Sequence, residues 1–230
     1  MIKTYEIEVS DGAQAQDREE SFIGGLPIMP EDVAIPNCLL CGAQQTFFFQ
    51  ISFPDEHFWE GKTMVFFSCT SCAKKGYFIP KMLEGQLRDA VIPKLFLDDY
   101  QINFRTIIYD TSSGSMRYDY QEKIKYRKIL FKKIDDPNLK KNKVGGSPNW
   151  FLEDESPSTL DDGTPMFFLM QFLEEYRFEI IPSAPGQAVL GFDKEVEYSD
   201  NNYYELFLGN NIYFFGTHYG QPQVYVFTQI

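Results

Sequence analysis

The sequence predicts an α+β protein dominated by antiparallel strands, built from two related units in one compact body. Three observations carry that expectation. The 230 residues include 22 Phe and 14 Tyr, residue types that suit pleated, half-buried surfaces better than a helical bundle. Short apolar runs are separated throughout by Gly, Pro, Asn and Asp, the residues that turn a chain. A block of landmarks near the N-terminus also recurs in the same order in the second half.

Taken in order, residues 3–9 alternate like a strand, and 11–20 are a polar loop or short helix. Gly24, Gly25 and Pro27 force a turn, and Pro27, Pro30 and Pro36 keep the next stretch out of helix. Residues 46–53 and 63–68 are apolar runs joined by a polar connection at 54–61, a strand–loop–strand unit. The best helix candidate is 81–90, weakened by Gly85. Further strands are expected at 104–109, 116–134, 166–172, 177–181, 189–192, 203–208, 212–215 and 224–228.

The repeat has a fixed register. Gly24, Gly25 and Pro27 return as Gly145, Gly146 and Pro148, an offset of 121 residues, and the same offset places Pro36 on Pro157, Leu39 on Leu160, Gly42 on Gly163, Phe47 on Phe168 and Gln50 on Gln171. Later, the run from Lys62 to Ser68 resembles that from Asn210 to Gly216, after a longer insertion in the second copy. The chain is therefore expected to be a single domain, 1–230. Its repeat units are 22–80 and 143–228, related by a pseudo-twofold axis and joined by a connecting region at 81–142.

All four cysteines lie in the first copy, as Cys38-x-x-Cys41 and Cys69-x-x-Cys72 with 27 residues between the pairs. Each pair can form a knuckle whose thiolates converge, and two knuckles complete a tetrahedral four-sulfur shell for zinc. Four thiolates leave no position for water, so the expected role is structural. A dithiol or a set of free thiols is the weaker reading. In the second copy Thr159, Asp162, Thr217 and Gly220 stand where the ligands should be. The insertion at 174–209 is expected to supply there the packing that metal supplies in the first copy.

The net charge is −12. Residues 123–143 hold nine Lys or Arg against Asp135 and Asp136, a local +7, which leaves −19 for the rest. An acidic body disfavours nucleic acid as a partner, and the basic stretch reads as a lysine-guarded strand followed by a solvated linker. No apolar run is long enough to span a bilayer. With no secretion signal visible and cysteines spaced for metal, the expected compartment is the cytoplasm.

Little in the sequence names a reaction. His57 and His218 are the only histidines, and both sit in turn-like segments where a solvent-facing side chain is expected. The acidic pairs Asp98/Asp99, Asp135/Asp136, Asp161/Asp162 and Glu174/Glu175 read as solvated surface. Gln50 and Gln171 hold matching places at the ends of two aromatic strands. They either read a partner's backbone in a groove between the units or tie down their own Gly-Gly-x-Pro turns. Trp59 and Trp150, near turns, are further candidates for partner contacts.

The order Gly-Gly-x-Pro, Pro-x-Cys-x-x-Cys-Gly, an aromatic strand ending in Gln, then Phe-Phe-x-Cys-x-x-Cys resembles the YwqG-like family of unknown function. It also resembles the zinc-knuckle domain of the programmed cell death protein 2 family. The closest stretch runs from Lys143 to Trp150 and on to Phe168 through Gln171; the likeness covers about 22–80 and 143–228. It implies a duplicated, mostly antiparallel fold and a chaperone-like or immunity-type role toward a basic protein. The resulting expectation is a non-enzymatic cytoplasmic protein-binding module with structural zinc. The alternative is an enzyme or small-ligand binder with its site in the cleft between the units.

Overall fold

The computed structural model describes residues 3–11, 15–74 and 76–229; part of the 11–20 loop lies outside them. Ten strands form one antiparallel sheet. They are β1 (Thr4–Ser10), β2 (Ser21–Ile23), β3 (Thr46–Ser52), β4 (Lys62–Ser68), β5 (Phe104–Asp110), β6 (Arg127–Ile134), β7 (Lys143–Gly145), β8 (Met166–Phe172), β9 (Asn211–Thr217) and β10 (Val224–Gln229). Their spatial order is β10-β9-β8-β7-β1-β6-β2-β3-β4-β5. One arm, β2 to β5, comes from the first half of the chain and the other, β7 to β10, from the second. β1 and β6 separate them.

The α+β expectation is overturned, because the chain is nearly all-β. The only α-helix among the described residues is the six-residue Lys94–Asp99. Residues 81–90 form turns instead, since Gly85 takes a φ of +92° that no helix accommodates. Pro93, with φ −63°, launches the short helix. The connecting region is also less passive than its sequence suggests, contributing β5 to one edge and β6 to the centre. Of the 116–134 run, only Ser115–Met116 and β6 are extended strand.

Pairing registers repeat at the sequence offset of 121. Phe22 lies opposite Gln50 and Ile23 opposite Phe49; Lys143 lies opposite Gln171 and Val144 opposite Met170. Each arm has a bulge in the same place, between Phe47 and Phe49 in β3 and between Phe168 and Met170 in β8. The bulge turns Phe48 and Leu169 into the core, where both are buried. The two arms face each other across an aromatic interior in which Phe49 meets Phe172 at 5.0 Å and Phe66 meets Phe214 at 5.6 Å between ring centres. The outer face of the first arm is covered too, by Ile28, Met29, Ile35 and Tyr120 packed on Phe22, Phe47 and Phe67. Strands buried on both faces explain why β3 and β4 read as continuous apolar runs without alternation.

The basic stretch is not an edge guard. β6 sits between β1 and β2, and its cations are spent internally: Lys128 pairs with Glu20, Arg127 with Asp11, Lys132 with Glu8 and Lys133 with Glu56. Lys143 is wholly buried. Its Nζ donates to the Pro137 carbonyl at 3.0 Å, and burial pushes its pKa down to about 8.

Candidate metal centre

Because β3 and β4 are antiparallel with Thr46 opposite Ser68, the segment before β3 and the segment after β4 emerge side by side. Those segments carry the two cysteine pairs. The first knuckle is closed by backbone hydrogen bonds from the Cys38 N–H to the Ala43 carbonyl and from the Gly42 N–H to the Cys38 carbonyl, both 2.8 Å. Gly42 holds a φ of +75°, a conformation that glycine adopts without strain. In the second knuckle the Ser71 N–H points at the Cys69 sulfur, 3.4 Å away.

The four sulfurs all lie within 4.8 Å of one another, an arrangement that could hold a metal ion. The Cys69–Cys72, Cys41–Cys69 and Cys38–Cys72 sulfur separations are 3.6, 3.7 and 3.9 Å. A tetrahedron of sulfurs about 2.3 Å from a central zinc has edges of about 3.8 Å, so the donor set fits. Cys38 is buried, Cys41 exposed, and Cys69 and Cys72 half-buried.

Without a cation, Cys69 and Cys72 resist ionisation. Burial pushes Cys69 up to about 11 and, with the neighbouring Cys69 charge, raises Cys72 as well. At Cys41 desolvation acts upward too, but hydrogen bonds from the Ala43 backbone and the other sulfurs outweigh it and the pKa falls. Four thiolates at these separations need a compensating positive charge.

The second copy keeps the first turn without the sulfurs. Gly163, φ +83°, donates its N–H to the Leu160 carbonyl at 3.0 Å, and the Leu160 N–H bonds the Thr164 carbonyl. The 174–209 insertion does not pack there. It crosses to the first copy, where Phe178 and Tyr204 contact Phe48 and the Ala188 N–H bonds the Thr70 carbonyl at 2.9 Å. What meets the ligand-free end of the second copy is the 54–61 connection of the first. Trp59 Nε1 donates to the Thr217 carbonyl at 2.8 Å, and Phe58 touches Phe167 and His218. Each copy's connection thus reaches across to the other.

These contacts relocate several residues expected at a partner surface. Trp59 is 2% exposed. Gln50 and Gln171 are fully buried and bond backbone just ahead of their own units: Gln50 Nε2 donates to the Glu20 carbonyl and Gln171 Nε2 to that of Lys141, again 121 residues on. Gln171 Oε1 also accepts from the Asn149 N–H, inside the turn after Gly146. Only Trp150 keeps part of its ring at the surface, half-buried and stacked on Phe215 and Phe227.

His57 is not solvent-facing. It is 3% exposed, sandwiched between Phe53 and Phe58, with Nδ1 accepting from the Trp59 N–H and Nε2 without a hydrogen-bond partner. Burial, then the nearby His218, pushes its pKa down to about 3. His218 and all four acidic pairs are exposed.

A cavity of about 300 Å³ adjoins the cysteine cluster, lined by Cys69, Cys72, Phe48 and Tyr77 from the first copy and by Glu205 and Phe207 from the insertion. Sequence reasoning missed it; the available signal was the run of acids between 193 and 205. A second hollow, about 630 Å³, lies by Glu20, Asp55 and Lys128. Among the described residues, no helix is long and apolar enough to cross a membrane. No family model matches the chain, and no curated protein matches it either.

Proposed function

We propose that this chain is a non-enzymatic protein-binding module of the YwqG-like kind, working in a reducing cytoplasm with one structural zinc held by Cys38, Cys41, Cys69 and Cys72. Its partner is a basic protein, met in a chaperone-like or immunity-type role. The observation that carries the reading is the closure of the four-sulfur set: a metal held there keeps no position for water or substrate. The duplicated registers support common descent of the two units. The basic stretch is consumed by internal ion pairs, which leaves an acidic exterior to meet a basic partner.

The cavity between the units offers little to the alternative of an enzyme. Among the described lining residues Glu205 is the one carboxylate, and neither histidine stands beside it as an acid–base partner.

Metal analysis of protein purified under reducing conditions tests the core of this reading. We expect one zinc per chain, lost together with stability in Cys41→Ser, because metal binding and folding are coupled. Wild-type protein that is stable and free of metal would refute it.

A further inference from the structure

The insertion carries more than the brace across Phe48. Ala188–Leu190 and Val196–Tyr198 form a two-stranded hairpin that stands beside the 300 Å³ cavity, with Val189 and Leu190 in the cavity wall. Large apolar side chains are exposed along it: Phe192 fully at the turn, Tyr198 at 62%, Val196 at 49% and Val189 at 37%. Across the cavity, Leu208 is 57% and Tyr77 39% exposed. Of these, Val189, Leu208 and Tyr77 line the hollow itself, and apolar groups exposed together at a hollow mark an interaction surface rather than the scatter normal for a soluble face. The cavity's far wall is strained: Phe207 and Leu208 both hold left-handed φ values, 51° and 61°. Consecutive non-glycine residues persist there only when the surroundings hold them, a cost that concentrates at ligand sites.

Charge selects the occupant. Between 193 and 205 stand Asp193, Glu195, Glu197, Asp200 and Glu205 against Lys194 alone. None of the five carboxylates makes an ion pair with a described residue, whereas the acids facing β6 are paired. A cavity of this size takes one bulky apolar side chain, and the acids around it suit flanking cations.

We infer that the 188–198 hairpin and the adjoining cavity dock an extended basic segment of a protein partner, with one apolar side chain seated between Tyr77, Val189 and Leu208 and flanking Lys or Arg residues against Glu205 and the hairpin acids. The inference rests on the protein-binding reading and gives it an address.

The test uses the full, metal-loaded chain and a fluorescent synthetic peptide bearing one leucine with two arginines on each side. Fluorescence anisotropy should show saturable binding that weakens as salt is raised. Exchanging the arginines for glutamates should abolish it, and replacing the leucine by glycine should weaken it about tenfold. Phe192→Ser with Val189→Ser, and separately Glu205→Gln, should each weaken binding at least about tenfold. Leu95→Ser, another exposed apolar position, should leave binding unchanged. Because the substituted side chains are largely exposed or at a cavity wall, unchanged circular dichroism checks that the variants fold.

If the peptide binds wild type and site variants alike, the address is wrong while the protein-binding reading stands. If wild type ignores the peptide, the basic–apolar occupant is wrong. In that case cross-linking of the native partner decides the broader reading: a partner seated away from 188–208 leaves it intact, and the absence of any stoichiometric partner removes it.

Discussion

Trp59 is the most exacting test of how the two units are joined. Trp59→Ala deletes an indole that is 2% exposed and packed on Phe53 and Phe58. Removing such a ring costs about 3–5 kcal/mol in transfer and cavity terms. It also takes from the Thr217 carbonyl a 2.8 Å hydrogen bond, worth about 1 kcal/mol. The expected loss is about 4–6 kcal/mol, comparable to the whole stability of many domains.

A second perturbation gives the number a direction. A methyl group added at Gly216 would stand 2.8 Å from Trp59 Cζ2 and 2.7 Å from Leu169 Cδ1, so Gly216→Ala should cost about 1–3 kcal/mol by overpacking. With the indole gone, that methyl meets Leu169 alone, and the double variant should lie at least about 1 kcal/mol above the sum of the single losses in stability. Guanidinium titration followed by far-ultraviolet circular dichroism measures all four corners without relying on tryptophan emission. A Trp59→Ala loss under about 1.5 kcal/mol, or strict additivity, would refute the idea that this side chain braces one unit on the other.

Three further outcomes are expected. His57 is held neutral with a pKa near 3 against 6.5 in the free side chain, so the unfolded chain binds its proton first. The proton-linked penalty is absent above about pH 6.5 and grows as pH drops toward 3, lowering stability by about 3 kcal/mol at pH 4. His57→Asn should flatten that part of the stability profile, and parallel curves would contradict it. Gly24→Ala and Gly146→Ala should each lose more than about 2 kcal/mol in denaturant melts. Both positions combine positive φ with a built methyl only 2.4 Å from an oxygen, of Ile124 and Thr4 respectively. Tyr100 donates to the Val224 carbonyl at 3.1 Å and accepts from the Val226 N–H at 2.9 Å, closing the free edge of β10. Tyr100→Phe should cost about 1–3 kcal/mol and speed exchange of the Val226 amide; unaltered exchange would deny the side chain that role.

Much of the sheet was legible because it depends on short-range rules. Continuous aromatic runs marked β3, β4, β8 and β9, and the glycine pairs marked the turns after β2 and β7. The cysteine spacing placed four sulfurs together because a hairpin with paired ends must bring the flanking knuckles into contact. Long-range burial was not legible. The 54–61 connection has the composition of a solvated turn, and Asp55 and Glu56 are exposed, but nothing nearby says that Phe167 and Gly216, more than 100 positions away, will lie against Phe58 and Trp59. Trp59 was a candidate for partner contacts for the same reason: a large ring with a polar N–H suits an interface, and here that interface lies inside the molecule. The one helix escaped because six residues are too few for periodicity, and its only marker is Pro93.

The reciprocal crossing of the two long connections has a consequence for how the chain acquires its structure. Neither arm can finish its own interior, since Phe48 waits for Phe178 and Tyr204 while the end of β9 waits for Trp59. The central neighbours β1 and β6 likewise start more than 110 residues apart, so chain closure precedes most of the reward. Slow assembly is the expected outcome, and the first half of the chain, made with its aromatic face uncovered, is open to aggregation until the second half is there to cover it.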